Sequence, residues 1–141
     1  MVGTVTDEYG RSLSEATLDV WQTNARGWYS NVLGLGDPAK PATFHLRGRM
    51  LTDQTGLYRF DTIVPGRYPF VWPFTRPRHI HVIVTHPSCE PLTTQIYFEG
   101  DTYNTWDPWW KSSLTIQLEV YTDADGRRIS RGVFDIVMQP K

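Results

Sequence analysis

Cys89 is the sequence's sole cysteine, and one thiol cannot build an internal disulfide framework. It follows Pro87-Ser88 with no marked His/Asn pairing nearby, which argues against a thiol nucleophile. No apolar stretch is long enough to span a bilayer. No signal-peptide pattern opens the chain, because Met1-Val2-Gly3-Thr4 leads straight into strand-like sequence. A reducing cytoplasm is the simplest compartment to expect. Long runs of Lys or Arg are missing and the formal net charge is -1, so the basic patch that a nucleic-acid partner needs is not there. Helical periodicity is scarce, and internal repeats, linkers and low-complexity tracts are absent.

What remains is an ordinary globular balance: 40% hydrophobic and 21% charged residues over 141 positions. That excludes disorder and suits one domain with one core. Gly and Pro punctuate the chain, and between them lie short strand-like runs. Strands are expected over Val2–Thr6, Ala16–Gln22, Arg49–Thr52, Leu57–Ile63, His79–Thr85, Thr93–Phe98, Leu114–Thr122 and Gly132–Met138. Residues 31–42 form a Gly/Pro-rich loop, and residues 102–113 hold a short helix or an irregular loop. This spacing predicts an all-β antiparallel sandwich of prealbumin type, with long loops carrying any site.

The chemistry begins at Arg76-Pro77-Arg78-His79-Ile80-His81. On a strand, side chains alternate, so His79 and His81 share one face and can reach one metal. The apolar run Ile80, Val82, Ile83, Val84 makes that strand look buried, and buried polar rings need partners. An Fe(II) site of the two-His-one-carboxylate type would add an Asp or Glu. A third His would suggest zinc, with His45 or His86 to supply it. Neither set is marked by a local motif. Two tyrosines do sit in distinctive loop contexts: Tyr29 ends Trp21-Gln22-Thr23-Asn24-Ala25-Arg26-Gly27-Trp28-Tyr29, and Tyr68 lies in Pro65-Gly66-Arg67-Tyr68-Pro69.

The stretches GTVTDEYG…ATLDVWQTNARGWYS, GRMLTDQTGLYRFDTIVPGRYP, RPRHIHV and TQIYFEGD follow one another in order. Together they resemble the catalytic domain of the intradiol ring-cleavage dioxygenases, and within that family most of all the iron-binding subunit of the protocatechuate enzymes. The resemblance covers most of residues 2–101. It implies an iron(III) held by Tyr29, Tyr68, His79 and His81, with Tyr29 and His79 equatorial and Tyr68 and His81 axial. Arg76 would stand beside the substrate ring, with Gln95 accompanying it, and Trp21 would lie near the substrate pocket. The implied reaction opens a catechol-type diol with O2 to a cis,cis-muconate-type dicarboxylate.

The implied ligand set is chemically coherent. Ferric iron is a hard cation that favours anionic oxygen, and a metal of that charge deprotonates a phenol whose free pKa is about 10. Tyr68 would leave the metal as an internal base when the diol binds.

Two departures stand out. Family members usually carry an N-terminal arm or helical segment, whereas this sequence opens at the first core strand. Residues 1–141 are therefore expected to form a single catalytic domain whose pocket is open-sided, or completed in a homo-oligomer or by a partner subunit. Arg78 replaces a small residue and should point away from His79. Trp106, Trp109 and Trp110 are open to several readings, with plain packing favoured. The reading from a different class is a non-catalytic, transthyretin-like binding module, which shares the strand pattern but needs neither tyrosine with the His pair.

Overall fold

A computed structural model describes residues 1–30, 45–71 and 74–141. The loop expected over residues 31–42 lies outside them. Twelve strands are found among the described residues: β1 (Val2–Asp7), β2 (Thr17–Gln22), β3 (Arg47–Leu51), β4 (Leu57–Arg59), β5 (Tyr68–Val71), β6 (Phe74–Arg76), β7 (His79–His86), β8 (Cys89–Phe98), β9 (Thr115–Ile116), β10 (Glu119–Thr122), β11 (Arg128–Arg131) and β12 (Ile136–Met138). The described residues contain no α-helix, and residues 102–113 hold only 3-10 turns, at Asn104–Trp106 and from Ser112. No helix among them is long and apolar enough to cross a membrane.

Two sheets carry the fold. One has the order β12-β1-β4, the other β3-β2-β7-β8-β9, and two hairpins, β5-β6 and β10-β11, flank them. Pairing is antiparallel except at β1–β12 and β8–β9. Alternation explains the layering. Leu18 and Val20 of β2, and Ile80, Val82 and Val84 of β7, point into a shared core with Val5, Tyr58, Ile136 and Met138 of the other sheet. Each such aliphatic side chain, fully buried, contributes about 1.5–3 kcal/mol. The β-sandwich read from the sequence is thus the observed architecture.

The boundaries differ in instructive places. The run Leu57–Ile63 is a strand only to Arg59; Phe60 adds one more pair to the ladder, its N–H donating to the Met1 carbonyl and its carbonyl accepting from the Met1 amine, and the run goes no further. The alternating run Leu114–Thr122 breaks into β9 and β10. Ile116 is buried, whereas Val120 is 54% exposed on the peripheral hairpin. Cys89 opens β8 and is buried instead of sitting in a loop.

Candidate active site

The same alternation that sends Ile80 and Val82 into the core turns His79 and His81 to the other face of the five-stranded sheet. Cross-strand register assembles a set around them. Trp21 pairs with His81, and β8 sets Gln95 opposite His81 and Tyr97 opposite His79. Trp21 lies flat on the His81 ring, with centroids 4.7 Å apart and planes 4° from parallel.

Three donor atoms converge there. Tyr29 Oη lies 2.8 Å from His81 Nε2 and 3.1 Å from His79 Nε2, and the two Nε2 atoms are 3.1 Å apart. This triangle has three short edges but at most two protons to fill them, one from the Tyr29 hydroxyl and one from His81 Nε2. His79 contributes none, because its Nδ1 donates to the Pro77 carbonyl at 2.7 Å and leaves an Nε2 lone pair aimed inward. Burial, aided by the Arg76 charge, pushes His79 down to about 4. Burial, with His79 and Arg76 adding, pushes His81 down to about 3. Both rings are therefore neutral at pH 7, the form in which an imidazole nitrogen can hold a metal. Burial pushes the Tyr29 phenol above its usual range, so only a strong local positive charge would make it phenolate.

The residues fit a metal of that kind. Donors about 2.1 Å from one ion and at right angles to each other stand about 3.0 Å apart, which matches the triangle. Among the described residues no group of three or more His, Cys, Asp or Glu is placed to hold an ion, so a two-His-one-carboxylate set is not built. Phenol oxygen beside imidazole nitrogen suits a hard, highly charged cation.

Tyr68 joins the site from β5. It is buried, its ring meets Tyr29 edge-on at 5.0 Å, and its hydroxyl makes no hydrogen bond among the described residues. A pocket of about 360 Å³ opens in front of these groups, lined by Trp21, Tyr29, Tyr68, Phe70, Arg76 and His81 among others. A wider groove of about 1050 Å³ adjoins it past Phe70, Arg76 and Trp109. The smaller cavity holds the converging donors, so it is the candidate site.

The two tyrosine-bearing loops meet backbone to backbone. Gly66 N–H donates to Asn24 O and the Thr23 hydroxyl donates to Gly66 O, both at 2.8 Å. Gly27 has φ +85°, and a Cβ there would strike the Arg67 carbonyl; a Cβ at Gly66 would strike Gly27 N and Ala25 O. Neither position leaves room for a side chain. Gly27→Ala is expected to cost about 2 kcal/mol or more from backbone strain and the clash. Urea unfolding would read this, and an unchanged midpoint would refute the tight seam.

Arg76 ends β6 and reaches every part of the site. Its Nη1 lies 3.2 Å from His79 Nε2, its Nη2 donates to Gln95 Oε1 at 2.6 Å, and its Nε donates to Asp107 Oδ2 at 2.8 Å. The guanidinium sits 4.6 Å from the Trp109 ring centre, within cation–π range. Thus Tyr29, Tyr68, His79, His81, Arg76, Gln95 and Trp21 are brought to one place. His45 is exposed, and His86 pairs with Ser88 at the far end of β7.

The sequence reading passed over Asp101 and Asp107, and it left Trp109 open between packing and a place at the pocket. Trp109 stacks on Arg76 and lines the pocket instead of simply packing, whereas Trp106 is 84% exposed and Trp110 bonds Thr115. Asp107 grips Arg76. Asp101 is a buried carboxylate that accepts from Arg67 Nε at 3.0 Å and from the Arg78 backbone N–H at 3.0 Å. It ties together the residues beside Tyr68 and His79, and Arg78 is held by it. Only the Gly-Asp end of TQIYFEGD hinted at this role.

A family model described as dioxygenase matches residues 1–140. The chain is 38% identical over 114 residues to the protocatechuate 3,4-dioxygenase beta chain of Burkholderia cepacia, covering 77% of this chain and 47% of that one. It is 38% identical over 108 residues to the catechol 1,2-dioxygenase of Candida albicans, covering 67% and 34%. Among solved structures, 3-chlorocatechol 1,2-dioxygenase from Rhodococcus opacus superposes with a TM-score of 0.87 at 28% identity, over 99% of this chain and 59% of that one. Hydroxyquinol 1,2-dioxygenase from Pseudomonas putida does so with 0.87 at 29%, over 99% and 55%. The chain spans less than half the length of these two curated relatives. With a family model matched over residues 1–140 and a solved relative superposed on 99% of the chain, the chain belongs to the intradiol ring-cleavage dioxygenase family.

Proposed function

We propose that the chain cleaves the ring of a catechol-type diol between its two hydroxyl-bearing carbons, using O2 and a ferric ion held by Tyr29, Tyr68, His79 and His81. The carrying observation is the triangle of Tyr29 Oη, His79 Nε2 and His81 Nε2, with edges of 2.8–3.1 Å. Both oxygen atoms of O2 enter the product, so a catechol gives a cis,cis-muconate-type dicarboxylate and atoms balance without a further reductant. When bound, the iron supplies the Lewis acidity that draws electron density from the diol and holds two phenols as phenolates.

The chain's own groups do the rest. The pocket between Trp21, Phe70 and Trp109 clasps a flat ring. The Tyr68 oxygen, the phenol without a hydrogen-bond partner among the described residues, takes one diol proton as general base. Tyr29 is held by both imidazoles and stays in place. Arg76, with Gln95 against its Nη2, sets a fixed positive charge at the ring, where negative charge develops.

Iron-loaded protein is expected to be red-brown and to consume one O2 per catechol while forming the ring-opened diacid. An oxygen electrode, with product identified by mass spectrometry, tests this. Protein that is colourless with full zinc and consumes no oxygen would return the chain to the binding-module reading.

A further inference from the structure

We propose that Asp107 is a positioning residue that sets which edge of the Arg76 guanidinium faces the reacting ring; the proposal rests on the function proposed above. Arginine has five N–H donors in a rigid fork. Asp107, whose side chain is wholly buried, takes Nε at 2.8 Å and Nη2 at 3.4 Å. Gln95 Oε1 and Tyr97 Oη also face Nη2, at 2.6 and 3.3 Å. Only the Nη1 edge is left to point at His79 Nε2. The fork can therefore present one edge to the pocket and no other.

The same short loop fixes the other degrees of freedom. Asp107 Oδ1 accepts the Trp109 backbone N–H at 2.9 Å, and the Trp109 ring covers one face of the guanidinium. Carboxylate on the edge and indole on the face thus come from residues two apart. Tyr97 Oη lies 3.2 Å from Asp107 Oδ1 and 3.1 Å from Gln95 Oε1, which closes the network from β8. A neutral partner of the same shape would keep the packing but lose the charge-assisted pair that pins the fork.

Asp107→Asn is the test, read beside Arg76→Ala and the double variant. Expected for Asp107→Asn are wild-type iron content and resting colour, the usual shift of the visible band when catechol is added without oxygen, and kcat lower by roughly 10- to 100-fold with KM little changed. The double variant should be no slower than Arg76→Ala alone, because Asp107 acts through Arg76. It also removes the stranded buried charge, so it stays readable if Asp107→Asn folds poorly. Wild-type turnover in Asp107→Asn, loss of iron with activity, or a double variant slowed by the product of the two single effects would each overturn the assignment. A wild-type protein that binds no iron and opens no ring strikes the proposed function itself, and this inference with it.

Discussion

His79→Ala is expected to yield protein with almost no iron, no visible band and no measurable ring cleavage. His79 is 2% exposed, its proton is committed to Pro77, and its Nε2 is an apex of the donor triangle, so no neighbour can replace it. Of the four proposed donors, Tyr29, Tyr68 and His81 remain, and the triangle loses one of its three vertices. The fold should survive. Ile80, Val82 and Val84 anchor β7 from the opposite face of the strand, and the loss of one buried ring leaves that packing in place. Metal analysis and far-ultraviolet circular dichroism on the same sample check both halves. Full iron occupancy in a folded variant would sink the ligand assignment.

Arg76→Ala is expected to leave iron and resting colour intact, because Arg76 donates hydrogen bonds and offers no lone pair. The turnover number should fall roughly 10²-fold or more if its charge stabilises the transition state. Stability should fall as well. Burial alone would raise the Asp107 carboxyl, yet the Arg76 contact and the Trp109 N–H hold it below the usual carboxylate range. Without Arg76 that carboxylate is stranded, and removing one partner of a buried pair costs roughly 3–5 kcal/mol. Steady-state oxygen uptake gives the first number and thermal unfolding the second. Iron lost together with activity would make Arg76 structural.

Strand alternation made the central part of this site legible. Leu18, Val20, Ile80, Val82 and Val84 mark one face of β2 and β7, so Trp21, His79 and His81 must fall on the other. Loops were harder. Nothing in periodicity brings Tyr29 to Tyr68; family resemblance did that. Asp107 and Arg76 are 31 residues apart, and a long-range ion pair leaves no local pattern in a sequence. The β5-β6 hairpin was hidden because Pro69 reads as a loop residue, and proline in a sheet is confined to edges, strand starts and bulges. Trp109 was indistinguishable from Trp106 and Trp110 by sequence, since only the position of Arg76 separates them.

The glycine seam between the two tyrosine loops has a consequence for when metal can be captured. The proposed donors come from three segments, with Tyr29 and Tyr68 on separate loops or strands and His79 and His81 together on β7, and the Thr23–Gly66 contact joins residues 43 apart. Closing such a loop is an entropic cost met only when β2 and β7 are already paired. An ion that needs all four donors would find only the His79–His81 pair on the unfolded chain, so most of its binding energy would accrue to the folded state. An ion held as proposed would act as a reversible cross-link between segments that are distant in the sequence.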